Sequence, residues 1–228
     1  MNSSTRRLVR IAAVTLGALA PTSGALAAQA SAATITVDKA CYVTTDSGTG
    51  APMTVTGSGF GAGDPILITG RGMRDDNVTA DASGNFTTTA QAPLLSTSGP
   101  GSTATTITAA DQNSPATSAT AVVHSANLTA SVTPVSVPNV RTDKVTYRFS
   151  GFTPGKPIFA FYIVHHRVVA HVRFGRTHGP CGVLRQRALL YPGGRPAKSQ
   201  YTVTFESVSR YSRTAFPHVT ATLKLLHF

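Results

Sequence analysis

One eight-residue motif occurs twice in the chain, 92 residues apart. Residues 59–66 read G-F-G-A-G-D-P-I, and residues 151–158 read G-F-T-P-G-K-P-I. Each copy lies between two runs of β-forming residues, so the pattern predicts a strand, a turn that depends on glycine, and a second strand. The glycines permit positive φ where the chain reverses, and Phe60 and Phe152 are expected to plug the ends of two sandwiches. The duplication therefore predicts two similar β-domains in tandem.

The last strands of each half support the same architecture. Residues 201–205 and 219–226 alternate apolar and polar side chains, which is the period of a half-buried strand, and a similar pair of strands ends the first half. No window after the N-terminal segment has a sustained helical period. The predicted fold class is all-β, with two tandem immunoglobulin-like β-sandwich domains at 33–127 and 128–228 after a cleaved signal peptide.

The N-terminal segment, residues 1–32, has the order of a secretory signal peptide. Three arginines precede an apolar stretch at 11–20, and A-x-A sites follow. Residues 21–24 contain Pro and Gly and interrupt the apolar run, whereas a membrane anchor needs roughly 20 continuous apolar residues. Cleavage is expected after Ala30 or Ala32. No later segment is apolar enough to span a bilayer, so the mature chain is predicted to be secreted, either extracellular or associated with the cell wall.

Residue usage and short motifs indicate a bacterial surface module. Arginine outnumbers lysine 15 to 5, and alanine and threonine are abundant, as in GC-rich bacterial genomes. Residues 55–60 (V-T-G-S-G-F), 81–86 (D-A-S-G-N-F) and 106–111 resemble the bacterial immunoglobulin-like modules of secreted and cell-surface proteins, including the IPT/TIG group. The second half shares only the turn and the closing strands, and its segment 176–182 (R-T-H-G-P-C-G) is similar to segments of secreted bacterial proteins. The resemblance implies adhesion modules, spacers or accessory domains, and it implies no ligand.

The two cysteines, Cys41 and Cys181, fall in different predicted domains. Cysteines of an exported protein are commonly paired because the compartment is oxidising. Alternating strand directions place the loop at 175–182 at the junction, where the end of the first strand near Cys41 would also lie. We therefore expect a bridge that fixes the interdomain angle, with two unpaired thiols or an intermolecular bridge as alternatives.

No motif in the sequence indicates a metal site, a cofactor or catalysis. Six of the seven histidines lie in the second half of the chain. His165 and His166 most simply form a hairpin turn. His178 shares a loop with Cys181, but the sequence has no C-x-x-C or H-x-x-x-H pair to complete a metal site. The second half has two carboxylates, and the first has no histidine before His124, so neither a carboxylate pair nor a Ser-His-Asp arrangement is indicated. The chain is not expected to be an enzyme, and no cofactor or metal is expected.

Charge is the sequence feature that points to a function. Residues 33–127 contain three basic and seven acidic side chains, whereas residues 128–228 contain fourteen and two. Such an asymmetry suggests different partners for the two halves or docking of one on the other. The residues predicted to form a basic binding surface are Arg173, Arg176, Arg185, Arg187, Arg210 and Arg213.

The predicted function is that of a secreted, non-catalytic binding or structural module. Its basic second domain would contact anionic cell-wall or extracellular polymers, or another surface protein. No motif for sequence-specific nucleic-acid recognition is present. The alternative is an accessory or inhibitor protein that binds a small molecule or an enzyme through loops at one end of a sandwich.

Overall fold

The structure is a computed structural model that describes residues 32–45, 49–95, 99–140, 142–191 and 199–225. The predicted signal peptide lies outside these residues except for Ala32. Within the described residues the backbone forms fifteen strands and no helix. They are β1 (Thr34–Val37), β2 (Tyr42–Thr44), β3 (Pro52–Ser58), β4 (Pro65–Gly70), β5 (Asp76–Thr79), β6 (Phe86–Gln91), β7 (Ser102–Asp111), β8 (Ser118–Asn127), β9 (Thr129–Thr133), β10 (Lys144–Ser150), β11 (Pro157–Val164), β12 (Arg167–Arg176), β13 (Leu184–Leu189), β14 (Ser199–Glu206) and β15 (His218–Leu225).

The first sandwich is built from a three-stranded sheet, β1-β3-β6, and a five-stranded sheet, β2-β8-β7-β4-β5. Its strand β3 alternates as predicted, because Met53 and Val55 are fully buried while Thr54 between them is only partly buried. Strand β2 is paired parallel to β8, and its Tyr42 is buried against the same core. Among the described residues, the buried core of this sandwich extends from Ile35 to Val123.

The second sandwich repeats this arrangement. Its sheets are β13-β10-β9 and β12-β11-β14-β15, which follow the strand order of β6-β3-β1 and β5-β4-β7-β8. A separate core contains the aromatic side chains of Tyr147, Phe149, Phe174 and Phe205. The all-β fold class with two β-sandwiches is therefore confirmed. Both sandwiches belong to one compact unit, Ser31–Phe228, and the division at residue 127 stays a prediction.

The duplicated motif occupies the same corner in both sandwiches. Phe60 and Phe152 are both buried, directly after β3 and β10. In each case a second glycine closes the corner, since a Cβ on Gly84 or Gly182 would collide with the carbonyl oxygen of the motif's phenylalanine. These glycines come from the β5–β6 and β12–β13 connections, so the corner is a long-range contact that the motif alone does not reveal.

A short junction joins the two sandwiches. The N–H of Leu128 donates to the carbonyl oxygen of Thr44 at 2.9 Å, and the hydroxyl of Ser150 donates to the carbonyl oxygen of Asn127 at 2.7 Å. A disulfide between Cys41 and Cys181 crosses the junction, with a Cα–Cα distance of 5.2 Å. The predicted pairing is confirmed, so the alternatives of two free thiols or an intermolecular bridge are not needed.

Candidate functional site

The outer surface of the β13-β10-β9 sheet carries a cluster of basic side chains. Alternation along β10 buries Val145, Tyr147 and Phe149, and therefore turns Lys144 and Arg148 outward. On β13, Leu184 and Ala188 pack toward the core, while the two arginines between them are exposed. We call the outward-facing set Lys144, Arg148, Arg185 and Arg187 the arginine face.

The register of β10 and β13 places like charges side by side. Arg148 is directly opposite Arg185, and Arg187 is opposite Thr146. Side chains at directly opposite positions have Cβ atoms about 5 Å apart, and like charges there destabilise the pairing. The other neighbour of Arg148, on β9, is the uncharged Ser131.

No carboxylate of the described residues forms an ion pair with the arginine face. Among the described residues the one ion pair joins Lys39 and Asp38 at 3.7 Å, and both lie in the first sandwich. Asp143, next to the face in sequence, instead accepts hydrogen bonds from the N–H of Asn139 at 2.9 Å and the hydroxyl of Thr142 at 3.1 Å. The face can therefore bind an anion without first losing an internal partner.

The structure separates the arginines that the sequence grouped together. Phe174 points into the core, so Arg173 lies on the outer surface of the opposite sheet, across from Phe159 of β11. Arg176 donates a hydrogen bond from Nη1 to the carbonyl oxygen of Gly155 at 2.9 Å, which stabilises the turn of the duplicated motif. Of the predicted set, only Arg185 and Arg187 share the arginine face.

The sequence prediction omitted two members of the arginine face, Lys144 and Arg148. The signal that could have found them is the alternation of Val145, Tyr147 and Phe149, which already assigns the residues on either side of Tyr147 to the outside. Their position beside β13 depends on a strand pairing between segments about forty residues apart, which alternation does not specify.

Arg210 and Arg213 lie in the loop that connects β14 to β15. This loop is fixed on the outer surface of the β12-β11-β14-β15 sheet, because the ring of Tyr211 packs 5.7 Å from that of Phe161. The N–H of Ser212 also donates to Oε2 of Glu206 at 3.2 Å. Both arginines are exposed, and Arg213 lines a cleft between this loop and the β11–β12 turn.

We call this depression the tyrosine cleft. It has a volume of about 420 Å³ and is lined by the two turn histidines and by Ile163, Gln200, Thr202, Tyr211 and Arg213. His165 and His166 form the predicted two-residue hairpin turn, with Val164 paired to Arg167. Their φ angles are 47° and 63°, so both adopt the left-handed conformation that usually selects Asn and Gly in such turns.

Glu206 is an unusual buried carboxyl group that is hydrogen-bonded to the loop carrying Tyr211 and Arg213. It lies under the β14–β15 loop, fully inaccessible to solvent, and its Oε1 has no hydrogen-bond partner among the described residues. Burial raises the pKa of this carboxyl above its ordinary value, and the N–H of Ser212 and the charge of His218 lower it only in part.

The described part of the chain contains no group of three or more His, Cys, Asp or Glu side chains that could hold a metal ion. His178, the third histidine considered as a ligand, exchanges backbone hydrogen bonds with Val183 in the loop that carries Cys181. In the same described ranges no helix is long and apolar enough to cross a membrane.

The comparisons with known proteins identify no family. No family model and no curated protein matches the chain. Among solved structures, one that is similar is the crystal structure of a "tetra-tandem repeat in extending region of large adhesion protein", with 18% sequence identity and a TM-score of 0.26. The match covers 84% of this chain and 48% of that one, so this chain spans about half the length of the crystallised chain that it matches.

Proposed function

We propose that the chain is an exported, non-catalytic binding module whose second sandwich holds anionic polymers of the cell wall or extracellular space through the arginine face. The observation that carries the proposal is the opposition of Arg148 and Arg185 without a carboxylate partner among the described residues. An anionic group between these side chains would remove the repulsion that the register creates. The disulfide between Cys41 and Cys181 supports export, because disulfides persist in oxidising compartments.

The geometry of the arginine face favours a polymer over a small ligand. Neighbouring strands lie about 4.8 Å apart, and residues two apart on one strand lie roughly 6.8 Å apart. Arg148, Arg185 and Arg187 therefore present three charges on an open sheet surface, with spacings comparable to those of a repeating anionic chain. Such contacts release counterions from the polymer, which makes the affinity depend on salt.

The test is binding to immobilised polygalacturonate and to a poly(glycerol phosphate) wall polymer at physiological salt. Low salt is uninformative because any strongly basic chain is retained there. The test variant changes Arg148, Arg185 and Arg187 to Gln. The matched control changes Arg167, Arg173 and Arg210 to Gln, which removes the same charge from exposed positions outside the arginine face.

We expect the test variant to lose at least tenfold in affinity for one or both polymers, and the control variant to stay within about threefold of the parent. Equal losses in the two variants would show that net charge alone drives retention, and would reject the arginine face. Absence of binding by the parent at physiological salt would reject it as well. Loss for only one polymer would identify carboxylate or phosphate as the preferred group.

A further inference from the structure

The tyrosine cleft contains two features of a binding site, a fixed aromatic ring and a cationic side chain. Tyr211 packs against Phe161, whose ring also stacks on His171 with 6.3 Å between centroids. Arg213 lies two residues beyond Tyr211 in the same loop and faces the cleft. An aromatic ring backed by other rings is a rigid surface on which the apolar face of a ring-shaped ligand can pack.

The remaining lining of the cleft consists of hydrogen-bonding groups. Gln200 and Thr202 are exposed at alternate positions of β14, so both point to the cleft side of the sheet. His165 and His166 of the β11–β12 turn also line the cleft. No carboxylate is among the described residues that line the cleft, so Arg213 is not neutralised within it.

The histidine turn is the feature that points to a ligand. A two-residue hairpin turn with both φ angles positive is most stable with Asn-Gly or a similar pair. This chain instead holds His165 and His166 in the left-handed conformation, and both residues line the cleft. Residues held in sparsely populated backbone conformations cluster at active sites and ligand clamps.

We propose that the tyrosine cleft binds a single sugar unit that bears one anionic group. The sugar ring would pack on Tyr211, the anionic group would pair with Arg213, and the hydroxyls would bond to the histidines, Gln200 and Thr202. The volume of about 420 Å³ is within the range of small-molecule sites. The cleft lies on the sheet opposite to the arginine face, so this site does not depend on the proposed polymer contact.

The test is an NMR titration of the intact chain that follows the ring signals of His165 and His166. The three probes are glucuronate, glucose 6-phosphate and neutral glucose, of which the first two separate carboxylate from phosphate recognition. Arg213→Gln removes the cleft cation. Arg210→Gln removes the same charge from the same loop at a residue that does not line the cleft.

We expect one or both anionic sugars to shift the histidine signals at concentrations at least tenfold below those that glucose requires. Arg213→Gln should weaken that binding at least tenfold, and Arg210→Gln should change it less than twofold. Equal response to glucose, equal loss in the two variants, or no shift with either anionic sugar would overturn the proposal.

A second variant separates the ligand contact from folding. His165→Asn combined with His166→Gly places preferred residues in the turn, so the fold should be kept while both imidazoles are removed. We expect at least fivefold weaker binding, measured from the signals of Thr202 and Gln200, with no decrease in thermal stability. Undiminished affinity in this variant would show that the histidines do not take part and would overturn the proposal.

Discussion

Glu206 holds a carboxyl group where solvent does not reach it, under the loop that follows its own strand. Because burial raises its pKa, the folded chain keeps this proton at pH values where the unfolded chain has released it. The stabilisation from the protonated group is therefore fully present below the ordinary glutamate pKa of about 4.3. It is lost as pH rises through the higher folded-state value.

Replacement of Glu206 by Gln should remove this dependence on pH. We expect the free energy of unfolding of Glu206→Gln to rise relative to that of the parent as pH increases from 4 to 7, measured by urea denaturation at several pH values. The pKa of Asp38 is lowered, chiefly by the hydrogen bond from Tyr42, so the stability that Asp38 contributes is lost as pH falls. It is present in both proteins and cancels in the difference. A difference that is constant over this pH range would contradict the prediction.

Two glycines of the second sandwich's motif provide a matched pair of substitutions. Gly151 and Gly155 have φ angles of 78° and 71°. Ala at either position would have to adopt the left-handed conformation, which costs about 1 kcal/mol of stability. A Cβ on Gly151 would also lie 2.8 Å from Cα of Leu128 and 2.9 Å from the carbonyl oxygen of Asn127, whereas a Cβ on Gly155 meets nothing within 4 Å.

We therefore expect Gly151→Ala to destabilise the chain by about 3 kcal/mol and Gly155→Ala by about 1 kcal/mol. Urea denaturation of the two variants beside the parent measures both values. Equal destabilisation would show that the backbone of the junction moves freely to accept the extra methyl group.

At the scale of strands, the pairing of β10 with β13 predicts a measurable repulsion. Arg148→Thr keeps a β-forming residue and removes one of the two opposed charges, so the free energy of unfolding should rise by about 0.5 kcal/mol at low salt. The gain should shrink at high salt, where exposed charges are screened. Arg173→Thr is the control, because Arg173 is exposed on a strand opposite the uncharged Phe159.

A double-mutant cycle with Arg185→Thr isolates the interaction. Since either single substitution removes the repulsion, the double variant should gain less than the sum of the two single gains. Additive gains at low salt would mean that the two guanidinium groups do not interact, and the main support for the arginine face would then be lost.

Most strands could be predicted from the sequence because each is encoded locally. The glycine turns, the histidine hairpin and the alternation in β15 depend on residues a few positions apart, and they appear in the structure. In β14 the alternation holds only up to Val203, since Thr204 and Glu206 on its polar side are buried as well. Strand β2 is different. It has three residues and is stabilised by a parallel pairing with β8 at Ser125–Asn127, far away in sequence. A local sequence pattern cannot predict such a pairing.

The candidate site was only partly predictable for the same reason. Arg173, Arg185 and Arg187 are exposed, as a basic surface requires, but their positions in the sequence do not specify the sheet to which each belongs. Whether two outward residues share a surface depends on which strands are neighbours, and β12 and β13 belong to different sheets. The tyrosine cleft was missed because it is formed by a loop packed on a sheet, and Tyr211 meets Phe161 across fifty residues of chain.

At the scale of the whole molecule, each sandwich has a core of its own. The residues of one core end at Val123 and those of the other begin at Val140, so each sandwich has its own apolar interior. The junction adds the hydrogen bonds of Leu128 and Ser150 and the close approach of Gly151 to Val43. The disulfide is thus the one covalent cross-link between the described parts of the two sandwiches.

Removal of that cross-link should lower stability without destroying either sandwich. Cys41 and Cys181 are 140 residues apart, and for a loop of that size the chain-entropy model gives a stabilisation on the order of 5 kcal/mol. We expect the double Ser variant to unfold at lower urea concentration, and in two steps rather than one, because each core persists without the bridge. Reduction of the parent should reproduce this curve, and reductant should leave the double Ser variant unchanged. A single transition at the parent's midpoint would show that the hydrogen bonds and packing at the junction already couple the two sandwiches fully, and that the disulfide contributes little to the folded state.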